Sequence, residues 1–193
     1  MGVFREHYIG GVVSYSAFFG ISMGTTFVGH WLFQKPIDWN STVSIKPWWH
    51  IVACFIIAIL FGLWPDVDIK SKSQSVFYRI FIVMNIFLIL KGWYIESAFF
   101  GLFAMLPMIG KHRGWTHSRI TMFFFPMIFV ILPLYLHKEI INVEHWLSPT
   151  NLSLIRTSIP FYVAGLIGYA THLHLDGILL TVPKPFYRRV KRA

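Results

Sequence analysis

Residues 51–73 read IVACFIIAILFGLWPDVDIKSKS. From Ile51 to Trp64 no side chain carries a charge or a hydroxyl. Pro65 then halts the run, and Asp66, Asp68, Lys70 and Lys72 follow closely. An uncharged stretch that stops at a proline and turns abruptly polar reads as a helix leaving a bilayer at one face. Its surroundings support that reading. Further apolar runs lie at 9–33, 48–64 (which contains this one), 77–92, 95–109, 119–136 and 159–182. The whole chain of 193 residues is 55% apolar and 13% charged, against about 25% charged for a soluble domain. Its mean hydropathy is +0.59.

The expected fold is therefore all-α: a polytopic integral membrane helical bundle of about six membrane segments. A helical span needs about 20 mostly apolar residues. By that measure the third and fourth runs are short and open to a re-entrant reading. The strict alternation of a transmembrane barrel is absent. Residues 1–182 form a single transmembrane domain in this reading, and 183–193 a basic cytoplasmic tail, with 137–158 the longest outer loop. No cleavable leader is expected, because the first run is long and has no clear small-residue cleavage site. Glu6 stands where a myristoylation signal needs Ser or Thr. A single cysteine, Cys54, excludes an internal disulfide framework and a cysteine-rich zinc site.

The net charge of +9 would suggest nucleic acid in a soluble chain. Here the basic residues flank spans, where they meet anionic lipid headgroups, so membrane lipid is the expected partner and nucleic acid is not. Lysine and arginine placement sets the orientation. With both termini in the cytoplasm, the inner segments hold Arg5, Lys70, Lys72, Arg79, Lys111, Arg113, Arg119, Lys184, Arg188, Arg189, Lys191 and Arg192. The outer segments hold Lys35, Lys46, Lys91, Lys138 and Arg156.

In that topology the ionisable residues beside the spans gather at one leaflet. They are His7; Asp66 and Asp68; His112 and His117 within KHRGWTHS (111–118); and His172 and Asp176. Ionisable groups at membrane depth are costly, and so are functional candidates. Residues four apart share a helix face, so His172 and Asp176 can grip one ion. Imidazole with carboxylate and no thiolate suits zinc, with manganese or iron as other fits. This many donors exceeds the need of one tetrahedral ion, which makes a pair credible. Each motif also has a plainer reading. A lone histidine at an interface is usually a polar anchor, the reading given to His30, His50, His137 and His145. His174 falls on the opposite helix face from His172 and reads as structural. Asp-x-Asp after a proline can be a solvated helix end. Phe123 to Phe125, Trp48 and Trp49 read as lipid-facing or interfacial belts.

The order His7, W-P-D-V-D-x-x-x-S, H-R-G-W-T-H-S, H-x-x-x-D resembles the YdjM-like family, described as inner-membrane-associated metal-dependent hydrolases whose activity is itself inferred. The likeness runs from His7 to Asp176. It departs at Trp64, where the family more often has Leu. It implies that His7, Asp66, Asp68, His112, His117, His172 and Asp176 are the polar motif positions, and it carries a distant similarity to zinc-dependent phospholipases C. One relative's description as LexA-binding has no readable counterpart here, so a protein partner stays unknown.

The functional expectation is a membrane-embedded hydrolase with one or two divalent metal ions. Its substrate is a phosphoester in a lipid or lipid-linked molecule. The metal ligands are the seven residues just named, and Asp68 doubles as candidate general base. Arg113, with its bidentate fork, is the candidate for transition-state charge, and Lys70, Lys111 and Arg113 would bind substrate. Ser71, Thr116 and Ser118 read as helix caps or hydrogen-bond supports. The rival expectation is a metal-ion transporter or a metal-stabilised scaffold. A transporter would need a polar path through the outer halves of the spans, where few polar residues occur.

Overall fold

The computed structural model describes residues 4–34, 43, 47–109, 114–136 and 148–180. Among them every regular element is helical. They are α1 (Phe4–Phe33), α2 (Trp49–Leu63), α3 (Lys72–Leu90), α4 (Tyr94–Ile109), α5 (Arg119–Phe124), α6 (Ile128–Leu136) and α7 (Pro149–Leu175). Tight 3-10 turns cover Trp64–Asp68, Trp115–His117 and Phe125–Met127. Five stretches of the described residues are long and apolar enough to cross a membrane: Phe4–Phe33, Trp49–Asp68, Lys72–Leu90, Arg119–Leu136 and Pro149–Leu175. Helix α4 has 16 residues, about 24 Å at 1.5 Å per residue.

Several element boundaries move from their expected places: the first helix starts at Phe4 instead of 9 and the last ends at Leu175 instead of 182, and two further starts have a clear cause. The third run starts at Lys72 instead of 77, because Ser71 caps α3 by accepting a hydrogen bond from the Gln74 N–H. That lengthens it to 19 residues, so it is not short. The last helix starts at Pro149 instead of 159. Ser148 caps it and Pro149 occupies the first turn, where a missing N–H costs nothing. The polar residues Thr150, Asn151, Ser153 and Arg156 disguise this start as loop.

Helices α1, α2 and α7 form the centre, and small residues let them approach. A Cβ on Gly168 of α7 would lie 2.0 Å from the Ala58 carbonyl oxygen of α2; only glycine fits there. Tyr15, Cys54, Ala58 and Ala164 are buried along the same seam. A second cluster surrounds Trp64 and includes Phe61, Phe77, Met122, Tyr169 and Leu173. Phe125, expected to face lipid, instead stacks on Trp64 with centroids 4.3 Å apart. Phe123, Phe124, Trp48 and Trp49 are exposed as expected. The α3–α4 pair is an antiparallel hairpin turned at Gly92 (φ 75°). Tyr78 donates to the Ala104 carbonyl at 3.1 Å, and Ser97 donates to the Asn85 side chain nearer the turn.

Candidate metal centre

Four elements meet at the same level of the bundle, and each delivers part of one polar cluster. His7 lies in the second turn of α1, on the face that also buries Gly11 and Tyr15. Asp66 and Asp68 come from the 3-10 turn that Pro65 opens after α2. That turn is tied to α3: Ser71 Oγ donates to the Asp66 carbonyl at 2.8 Å, and Gln74 Nε2 donates to the Val67 carbonyl at 3.1 Å. His117 closes the 3-10 turn before α5, whose first turn Ser118 caps. His172 and Asp176 sit one helical turn apart at the end of α7.

The α7 terminus is held by a Schellman arrangement. Gly177 takes φ +72°, its N–H bonds the His174 carbonyl, and the Ile178 N–H bonds the Leu173 carbonyl. Arg119 then donates to the Ile178 carbonyl at 3.0 Å. Asp176 is thereby fixed as the helix cap, with its side chain facing the histidines.

Three imidazoles and three carboxylates meet there. His117 Nε2 lies 3.8 Å from Asp66 Oδ1 and 3.6 Å from Asp176 Oδ2. His172 Nε2 lies 3.7 Å from each of the same two oxygens. His7 Nε2 lies 3.9 Å from Asp66 Oδ2 and 3.6 Å from Asp176 Oδ1. These separations exceed the 2.7–3.2 Å of ordinary N–H···O bonds. They are close to the edge of a tetrahedron of ligands around an ion, about 3.4 Å for bonds near 2.1 Å. His172 Nε2 and Asp176 Oδ1 are buried with no hydrogen-bond partner. Buried ionised carboxylates cost several kcal/mol each unless a cation compensates them. Side-chain exposure is at most 4% for five of the six groups and 16% for Asp66, which makes Asp66 the reachable edge.

The outer contacts orient the rings. His172 Nδ1 is 2.7 Å from the Gly62 carbonyl. The carbonyl can only accept, so Nδ1 carries the proton and Nε2 turns a bare lone pair to the carboxylates. Asp68 stands behind His117. Its Oδ2 is 4.0 Å from His117 Nδ1, and Thr116 Oγ1 lies 3.2 Å from both. Tyr169 donates to the Thr116 carbonyl and holds that turn against α7. Asp68 therefore lies on the Nδ1 side of His117, away from the Nε2 side where Asp66 and Asp176 gather.

Of the residues expected from sequence, His7, Asp66, Asp68, His117, His172 and Asp176 come together. Lys111, His112 and Arg113 lie outside the described residues, as do His137, His145 and the tail. Lys70 is exposed and lines an open groove of about 510 Å³ with Ser71, Lys72, Gln74, Ser75 and Tyr78. His174 is exposed, and His50 packs edge-on against Phe161, midway along α7. Sequence reasoning missed Gly62, Tyr169, Arg119 and Gly177. Only Tyr169 left a trace, since 169, 172 and 176 share one helical face.

The chain belongs to the YdjM inner membrane protein family, whose model matches residues 6–187. The match encloses every residue of the cluster. No curated protein and no solved structure matches the chain.

Proposed function

We propose that this member of the YdjM inner membrane protein family is a membrane-embedded, metal-dependent hydrolase of a phosphoester in a lipid or lipid-linked substrate. The observation that carries the proposal is the meeting of three imidazoles and three carboxylates, with unpartnered buried donor atoms, at one end of an apolar bundle. His7, His117, His172, Asp66 and Asp176 are the residues that would hold zinc or, second, manganese. His112 joins them on sequence grounds alone. A bound ion of this kind would supply a water acidified far below bulk water, towards neutrality, and an electrophilic partner for a phosphoryl oxygen. In the hydrolysis a water oxygen bonds to phosphorus, the ester P–O bond breaks, and the water's proton ends on the leaving oxygen.

The chain's own residues do the rest. Asp66, the most exposed of the cluster, marks the side from which water and substrate enter. Asp68 and Thr116 steady the His117 ring. Lys70 and Lys72 beside the entry draw an anionic headgroup, with Lys111 and Arg113 as further anion contacts from sequence. The bundle crosses six times, with α4 as the shorter crossing paired to α3. Both termini and the site face the cytoplasm, which accords with the basic residues beside the Asp66 and His117 turns.

A metal clamp that only ties helix ends together is the competing reading, favoured by the four elements the cluster joins. A transporter fits less well, because the far-end pocket between α2, α6 and α7 is lined mainly by apolar side chains. Arg113→Lys separates enzyme from clamp, since Arg cannot ligate a metal and Lys keeps the charge without the fork. The expected result is unchanged metal content with turnover on a phospholipid and phosphodiester panel reduced ~10²–10³-fold. A metal-loaded wild type that is inert on the whole panel would establish the clamp.

A further inference from the structure

Resting on the metal reading above, we propose that the site takes two cations bridged by Asp66 and Asp176, with His117 and His172 on the first and His7 on the second. The carboxylate oxygens divide the cluster. Asp66 Oδ1 and Asp176 Oδ2 both face the Nε2 atoms of His117 and His172, with all four N···O separations between 3.6 and 3.8 Å. That is a complete four-donor set. The other oxygen of each carboxylate, Asp66 Oδ2 and Asp176 Oδ1, faces His7 Nε2 instead. This second set has three protein donors and so keeps a position for water, the mark of a catalytic rather than a structural ion.

Ring geometry argues separately against one ion shared by His7 and His172, although their ligand atoms and one of Asp66 lie within 4.8 Å of one another. The His7 and His172 rings stack with centroids 3.9 Å apart and planes inclined by 20°. An imidazole binds a metal in its own plane, about 2.0–2.1 Å from the nitrogen. Planes this close and this nearly parallel converge well beyond the reach of a metal–nitrogen bond. Each ring therefore points at its own ion. The 3.9 Å between the ring centroids is comparable to the ≈ 3.5–4 Å between the ions of two-metal phosphoesterases. Asp176 Oδ1, buried without a hydrogen-bond partner, is the donor this second ion would occupy.

The test is zinc titration of the stripped full-length protein in detergent, with content read by elemental analysis. Wild type is expected to take up about two equivalents and His7→Ala about one, while His117→Ala weakens the four-donor set. Manganese electron paramagnetic resonance on wild type alone gives a second readout that no folding defect can confuse. The isolated-ion spectrum at one equivalent should give way to an exchange-coupled spectrum at two. If wild type binds one equivalent, or the spectrum stays uncoupled, the two-cation assignment is overturned and the metal reading stands. If wild type binds none, the metal reading itself falls.

Discussion

The spans Trp49–Asp68 (α2 with its closing turn) and Lys72–Leu90 (α3) are both apolar enough to cross a membrane, yet 44% of the first span's most apolar stretch is buried inside the protein and 11% of the second's. Apolarity decides that a segment enters the bilayer; it does not decide what the segment faces there. Between apolar helices in lipid, close backbone approach and a few polar contacts set the neighbours. Helix α2 carries Cys54, Ala58 and Gly62, and these meet Gly11, Ala164 and Gly168. Helix α3 carries Ile82, Val83, Ile86 and Ile89, all exposed, and holds α4 by isolated hydrogen bonds and one edge-on Phe81–Phe100 contact. The site follows the first kind of packing. Gly62, which lets α2 approach α1 and α7, also offers His172 its carbonyl.

The largest difference between the two regions should come from adding one methyl group. Gly168→Ala drives a Cβ to 2.0 Å from a backbone oxygen, where no side-chain adjustment can relieve it. Overpacking costs about 1–3 kcal/mol and occasionally more, and this contact belongs at the upper end. Thermal unfolding in detergent should drop sharply, and buried Cys54 should become reactive to a thiol reagent. Gly24→Ala on α1 meets nothing within 4 Å and is expected to be neutral or stabilising by up to ~1 kcal/mol. Equal melting temperatures for the two variants would overturn the α2–α7 crossing.

Metal removal comes next. A ligand at 1,000 times its Kd stabilises by about 4 kcal/mol, so a chelator should lower the melting temperature of wild type. His172→Ala, already missing one of the proposed ligands, should show little further loss. A hairpin variant should respond to the chelator as wild type does. A wild type whose melting is unmoved by chelator would detach the cluster from the stability of the centre.

Asp68→Asn is a smaller perturbation, because it acts through His117. Loss of such an orienting carboxylate typically weakens metal binding 10–100-fold. The expected outcome is weaker zinc affinity with the same number of ions. Thr116→Val should shift affinity in the same direction, since Thr116 bridges Asp68 and His117. Loss of one whole equivalent in Asp68→Asn would instead make Asp68 a direct ligand.

The sequence made the membrane class and six members of the cluster legible, because charged and imidazole groups stand out against an apolar chain. It could not show which side of His117 Asp68 occupies. That depends on the 3-10 turns around Val67 and Thr116, where one residue of phase reverses a side chain. Nor did it reveal Gly62, whose role belongs to its carbonyl, or the cap at Gly177, whose neighbours read as a continuing apolar run. The start of α7 was hidden for the opposite reason, since its first turns are polar enough to pass for loop. Phe125 looked like its exposed neighbours Phe123 and Phe124. Only the turn at Pro126 sends it inward onto Trp64.

The smallest expected effect lies at Asn85, and it tests whether the hairpin is as loosely held as its exposure suggests. Asn85 and Ser97 join α3 to α4 near the turn. Lipid offers no competing water, which by itself favours a strong bond. But a helix pair separated in the membrane finds other partners for its polar groups, and measured couplings between membrane helices average only about 0.6 kcal/mol. A double-mutant cycle of Asn85→Ala and Ser97→Ala, read by thermal unfolding, should therefore return a coupling near that value. Metal content should be unchanged in all three variants, because the pair sits at the far end of the hairpin from the Asp66 turn. A coupling several times larger would make the hairpin part of the cooperative centre. A loss of metal would mean that α3 carries strain from its far end to the Ser71 and Gln74 contacts that hold the Asp66 turn.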